Sequence, residues 1–181
     1  MQRVVLTHNL VAVPLPSEGL PFELVQLHNR GPLGFGANHN QAFAHADTPF
    51  FAVLNPDMRL RDPALWPQML SAARQPGIGA VTATLLNPDG SVQDNQRALV
   101  TPWSLFRRRV LRQPEQRVDW FSASFLLMPA AVYRAVAGFD ERYHMYCEDV
   151  DLCLRLQQTI IETLGNSAQQ SDTTLPKQIV I

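Results

Sequence analysis

The five residues Phe50 to Leu54 are apolar without a break, and Asn55, Pro56 and Asp57 follow them directly. Side chains of a strand point alternately to its two faces, so a strand wet on one side shows alternating polarity. An unbroken short apolar run reads instead as a central strand of a parallel sheet, covered on both faces. Such a strand needs layers of structure above and below it, and the rest of the chain supplies candidates in alternation. Arg3 to Leu6 and Phe22 to Leu27 read as strands, with a proline-rich loop from Val11 to Pro21 between them. A glycine-rich turn from Asn29 runs into a helix that ends near Ala44. Pro63 to Arg74 reads as a helix, with Asp62 as its N-cap and proline at its first position. Gly77 to Leu86 follows as a strand, closed by the turn Asn87 to Gly90. Val118 to Met128 reads as a further strand and Pro129 to Ala137 as a short helix. Strands alternating with helices imply an α/β domain with a largely parallel sheet.

Bulk properties narrow the class. The chain has 181 residues, 46% apolar and 17% charged, with a formal net charge of −1. One domain with a real core is expected, and nothing in the charge argues for nucleic acid. No apolar run approaches the roughly 20 residues that a membrane helix needs. No secretory leader pattern opens the chain, so a cytoplasmic location is expected. Cys147 and Cys153 have neither a CxxC nor a zinc spacing, and are expected to be reduced thiols.

The densest chemistry lies between Gly138 and Leu156, where Glu148, Asp149 and Asp151 fall within four positions of one another. Tyr146, Val150 and Cys153 or Leu154 then lie on one face of a helix expected to run to about Leu164, where Gly165 would stop it. Two readings stay open on local pattern. Carboxylates in a first helical turn are favoured by the helix dipole, which gives them a capping role. Alternatively, one of the adjacent pair Glu148 and Asp149 is anchored while the other faces a cleft as a base. Asp151 is set apart, because it can pair with Arg155 one turn on. Asp57 is likewise either a solvated turn residue or an oxygen ligand for a divalent cation. Gly34, Gly36 and Asn38 form a strand-to-helix turn able to face an anion with backbone amides. They lack the third glycine of a dinucleotide fingerprint. Arg107 to Arg117 supplies five arginines, either a solvated face or a source of one contact to a diphosphate or an anionic acceptor. His39 and His144 show no metal spacing and read as structural.

Several of these segments together resemble family 2 glycosyltransferases, especially rhamnosyltransferase-like members. They are Gly138 to Tyr143 with Tyr146 to Arg155, Phe50 to Asp57, Asn29 to Asn38, and Asp119 to Leu127. The resemblance implies a GT-A-like domain over residues 1–156, with 157–181 as a helix extension and polar tail of unknown role. It implies Asp149 as catalytic base with Glu148 beside it, and Asp57 as the ligand of Mg²⁺ or Mn²⁺, with Asn55 where the family's metal motif usually has aspartate. Asn29, Gly34, Asn38 and Asn55 would then lie on the nucleotide-sugar side, and Trp120 and Ser122 on the acceptor side. Ala123 stands where glycine is usual in the acceptor segment. The implied partners are a nucleotide-sugar donor and a glycan or lipid-linked acceptor, with peripheral contact at the inner face of the membrane. The resemblance starts at the family's second strand and ends near Leu156, which implies an incomplete domain with weak donor affinity and a tendency to self-associate. The rival readings are a catalytically impaired remnant and a non-catalytic nucleotide-binding module.

Overall fold

The computed structural model describes residues 2–11, 15, 18–99, 118–167 and 179–180, with side chains as far as residue 159. The arginine segment 107–117 and most of the tail beyond 167 lie outside the described residues. The strands are β1 (Arg3–His8), β2 (Glu23–His28), β3 (Phe50–Leu54), β4 (Val81–Thr82), β5 (Gln96–Arg97), β6 (Trp120–Phe121), β7 (Phe125–Pro129) and β8 (Ile179–Val180). The helices are α1 (Phe35–Phe43), α2 (Leu65–Ala73), α3 (Ala130–Ala135) and α4 (Glu148–Ser167).

A strand is present over the expected residues and is covered on both faces, but among the described residues it lies at an edge of its sheet rather than at the centre. β3 pairs antiparallel with β7, from Phe50 opposite Pro129 to Leu54 opposite Phe125. β7 pairs antiparallel with β4 as well, and β4 runs parallel to β8, giving the order β3-β7-β4-β8. β1 and β2 form a separate parallel pair, and β5 and β6 a short antiparallel one. The architecture is α/β as expected, but the sheet is mixed rather than largely parallel, because β7 runs against both of its neighbours.

The period of two along β3 and β7 divides the interior into two cores. Phe51, Val53, Leu126 and Met128 point to one face, where Tyr133, Phe139, Leu152, Cys153 and Leu156 pack. Phe50, Ala52, Phe125 and Leu127 point to the other, against Met69, Ala72, Ala73, Val81 and Leu85. A strand loaded on both faces must be apolar throughout, which is the physical content of the uninterrupted run.

Three segments depart from expectation. Val118 to Met128 is not one strand: it breaks at Ser122–Ser124, where the two serine hydroxyls bond each other at 2.8 Å. The Ser122 N–H there donates to Asn95 O and the Ser124 carbonyl accepts from the Asn55 N–H, both at 2.9 Å. These polar contacts outcompete continuation of the ladder. The Gly77 to Leu86 run is extended and mostly buried, but only Val81 and Thr82 pair as a strand. Leu85 O instead accepts from the Gln93 N–H at 2.8 Å, so its pairing goes to a hairpin. Helix α4 starts at Glu148, which leaves Tyr146 outside it and 77% exposed, and it continues through Gly165. Its buried face is Leu152, Cys153 and Leu156. Glycine inside a helix costs only about 1 kcal/mol, too little to stop one that is otherwise supported. Helix α2 starts two residues later than expected: Ala64 rather than Asp62 is its N-cap, no side chain caps it, and the Asp62 carboxylate accepts the Ala64 N–H at 2.8 Å just ahead of the first helical residue.

Candidate active site

The break at Ser122–Ser124 is the junction on which the site is built. On one side, the Asn55 N–H donates to Ser124 O at 2.9 Å, which ties the end of β3 to this turn. Asn55 O accepts the Met58 N–H at 3.2 Å, closing a turn with Pro56 and Asp57 at its centre. Proline at the second position of a turn is favoured by its fixed φ. The turn leaves the Asp57 carboxylate open to solvent.

On the other side lies the first turn of α4. Asp149 is half-buried, and its Oδ1 accepts the Val150 N–H at 2.8 Å. Burial raises its pKa, and the N–H groups of Val150 and Ala123 oppose that by favouring the charged form. The effect of the Ala123 amide on this carboxyl puts Asp149 near the same turn that anchors Asn55. Ala123, in place of the usual glycine, has no left-handed φ, so its methyl group is accommodated without strain. The dipole reading and the base reading are compatible here: Glu148, Asp149 and Asp151 all sit in the first turn of α4. Asp151 is taken by Arg155, with Oδ2 at 2.6 Å from Nη2 and 2.8 Å from Nε.

Glu148 differs from its neighbour. It is 8% exposed, and its Oε2 has no hydrogen-bond partner among the described residues. Burial raises its pKa, and the Asp149 charge adds to this. A raised carboxyl pKa contributes stability that is complete below the unfolded value, near 4.5, and is lost as pH rises past it. Glu148→Gln keeps the shape and removes the charge, so at pH 7 it is expected to stabilise the fold by about 1 kcal/mol. That corresponds to a Tm about 2–4 °C higher by calorimetry, with the gain vanishing below about pH 4. A Tm lowered at pH 7 would show that the carboxylate has a stabilising partner.

The nucleotide-side candidates form a second group. Asn29 Nδ2 donates to Asn38 Oδ1 at 2.7 Å and to Asn9 Oδ1 at 3.0 Å. Asn9 in turn accepts the Leu33 N–H at 2.7 Å and donates to Leu33 O at 2.9 Å. Asn29 and Asn38 therefore hold the loop ahead of α1 in shape. An open depression of about 530 Å³ lies beside them, lined by residues 27–33 and Gln41. Neither Asp57 nor Asp149 lines it. Gly34 has a packing reason absent from the sequence: a Cβ there would lie 2.5 Å from His144 O. The Phe35 N–H donates to that carbonyl at 3.1 Å. This contact joins the glycine-rich loop to the segment that leads into Asp149. Trp120 in β6 is half-buried against the first core, and Ser122 is bonded to Ser124. His39 packs between Phe35 and Phe139, and burial pushes its pKa down to about 4, in keeping with a structural role.

Among the described residues no three His, Cys, Asp or Glu side chains converge on one point. A cation shared with a diphosphate does not need three. Mg²⁺ is commonly held by one or two carboxylates, with water and phosphate oxygens completing its shell. The open carboxylate of Asp57, with Asn55 at the end of the same strand, is a donor set of that kind.

The Ser122–Ser124 turn thus lies between the strand that ends ahead of Asp57 and the helix whose first turn holds Asp149. The model of glycosyl transferase family 2 matches residues 19–137, more than half of the chain, and the chain belongs to that family. Among its relatives is the N-acetylglucosaminyl-diphospho-decaprenol L-rhamnosyltransferase of Mycobacterium tuberculosis, 34% identical over 122 residues. That match covers 58% of this chain and 40% of the relative. The O-antigen biosynthesis protein RfbC of Myxococcus xanthus is 30% identical over 146 residues, 74% of this chain and 11% of that protein. The rhamnosyltransferase WbbL of Escherichia coli is 56% identical over 39 residues, 22% of this chain and 15% of that protein. The chain thus spans well under half the length of these relatives. In structure it is similar to the mannosyltransferase PcManGT from Pyrobaculum calidifontis, solved in complex with GDP-Man and Mn2+. The TM-score is 0.52 at 13% identity, covering 76% of this chain and 35% of that one, which shows a shared GT-A-like fold.

Proposed function

We propose that this chain carries the catalytic centre of an inverting sugar transferase, with rhamnose on a nucleotide as donor and a polysaccharide or lipid-linked glycan as acceptor. The observation that carries the reading is the turn Ser122–Ser124, which bonds the Asn55 end of β3 and also meets the Asp149 carboxylate. The choice of sugar and acceptor rests on what the relatives are named for, above all the N-acetylglucosaminyl-diphospho-decaprenol L-rhamnosyltransferase.

In this reading Asp149 accepts the proton of the acceptor hydroxyl as that oxygen bonds to the anomeric carbon. The bond from that carbon to the diphosphate breaks at the same time, and its electron pair leaves with the phosphate oxygen. Attack from the face opposite the leaving group inverts the anomeric centre. Half-burial of Asp149 makes it a stronger base than an exposed aspartate. Asp57, supported by Asn55, would hold the divalent ion, which supplies charge neutralisation on the departing diphosphate. Trp120 offers an aromatic face on the acceptor side. No described helix is long and apolar enough to cross a membrane. A lipid-linked acceptor would place the protein against the inner face of one.

Asp57→Ala tests the metal assignment. Calorimetry with a nucleoside diphosphate and Mn²⁺ is expected to show at least about tenfold weaker binding in the variant, with no difference when chelator replaces the ion. Equal binding in variant and parent would remove Asp57 from the metal site. Turnover of a nucleotide-rhamnose donor by the parent, with and without Mn²⁺, separates an enzyme from an impaired remnant or a simple binding module.

A further inference from the structure

We propose that Asn40 is a positioning residue for Asp149, acting through the loop that leads into α4. The inference rests on the reading of Asp149 as the base. Asn40 lies on α1, far in sequence from the acidic helix, and its amide is fully used. Its Nδ2 donates to Phe139 O and to Glu141 Oε1, each at 2.9 Å. Its Oδ1 accepts from the Tyr133 hydroxyl at 2.6 Å and from the Phe139 N–H at 3.0 Å. The peptide groups of Phe139 thus present one donor and one acceptor to a single side chain, and an amide answers both at once. Arg155 of α4 grips the same stretch from the other end, donating to Val136 O and, at 2.8 Å, to Gly138 O.

The loop pinned in this way ends in strain. Tyr146 and Cys147 are consecutive non-glycine residues with φ of 71° and 69°, and Glu148 follows at once. Left-handed backbone is unfavourable for a side-chain-bearing residue, and it persists only where the surroundings fix it. Here the surroundings are Asn40 at Phe139 and Glu141, and the Phe35 N–H at His144 O. The strained pair is also tied into α4, since Cys147 O accepts the Asp151 N–H at 3.0 Å. Releasing Phe139 and Glu141 lets residues 146 and 147 relax to ordinary φ. The first turn of α4 then rotates, and Asp149 moves away from the Ala123 amide.

The test compares the full chain with Asn40→Ala, Asn40→Asp and the double variant Asn40→Asp/Glu141→Gln. Amide exchange followed by mass spectrometry is expected to quicken at least about tenfold over residues 139–151 in Asn40→Ala. Exchange over β7, residues 125–129, should stay within about twofold. In transfer assays kcat should fall by about 10², the scale of a misplaced catalytic group, with donor KM within about threefold. Asn40→Asp sets a second carboxylate against Glu141, and Glu141→Gln restores a donor between the two positions. The double variant should therefore recover at least about tenfold of the loss in kcat seen in Asn40→Asp. Exchange that quickens equally over β7 would make Asn40 a general core residue and overturn the proposal, as would a loosened loop with unchanged kcat. If the parent transfers no sugar, the reading of Asp149 fails instead. The exchange data then decide alone, and unchanged protection at 148–151 sinks the role of Asn40. Should Asn40→Ala not fold, Asn40→Asp against the double variant carries the same decision.

Discussion

Asp149→Asn is expected to lower sugar transfer by about 10² to 10⁴-fold while donor binding stays near that of the parent. Asparagine has the shape of aspartate and keeps an oxygen for the Val150 N–H, which Asp149 Oδ1 accepts at 2.8 Å. What it loses is the capacity to take a proton. The loss should fall on kcat, because the interaction is made only as the acceptor hydroxyl ionises. The parent's own pH profile is a second check. Burial raises the pKa of Asp149, so the acid limb of kcat/KM should lie above the ordinary aspartate value, and the variant should lack that limb. Steady-state transfer assays from pH 4 to 8 read both. A variant within about tenfold of parental kcat would remove Asp149 from the chemistry.

The second large effect is on the fold. Gly138→Ala is expected to destabilise the protein by about 3 kcal/mol. Two causes add. Gly138 has φ of 69°, where a Cβ costs roughly 1–2 kcal/mol. The new methyl would also lie 2.3 Å from Asn40 Oδ1 and 3.1 Å from Tyr133 Cε1. Asn40 must then swing away from Tyr133 and Phe139, leaving partly buried groups unpaired at about 1–3 kcal/mol. Gly90→Ala is the control: its φ is 87°, but nothing lies within 4 Å of the added Cβ. It should show the backbone cost alone. Against a typical domain stability of about 5–15 kcal/mol, the Gly138 variant should show a clearly lower urea midpoint at unchanged slope. Equal losses at the two glycines would mean that the Asn40 contacts contribute nothing.

The strand Phe50 to Leu54 was legible because its information is local: five apolar residues in a row and a proline turn specify a strand covered on both faces, though not its place at the edge of the sheet. The acidic helix was legible for the same reason, as was the Asp151–Arg155 pair, whose members are four residues apart. The break at Ser122–Ser124 was not, because it depends on Asn55 and Asn95, which arrive from distant parts of the chain. The mixed direction of the sheet was hidden too, since apolar content marks a buried strand but not which way its neighbours run. Asn40 carried no signal at all: it is one asparagine in a polar stretch of α1, and its partner Phe139 is 99 residues away.

The sequence by itself determined the elements and which residue types could do chemistry, since both follow from near neighbours, side-chain period and functional groups. Tertiary structure alone decided which of two adjacent carboxylates faces the junction. Glu148 and Asp149 are nearly equal as sequence. The angular step between them around α4 buries the first and sets the second against the Ala123 amide. It also turned Gly34 and Gly138 from flexible residues into points of close approach, where His144 and Asn40 leave no room for a side chain. Such roles exist only once remote segments are packed together, because they are set by the space between chains rather than by the residue that fills it.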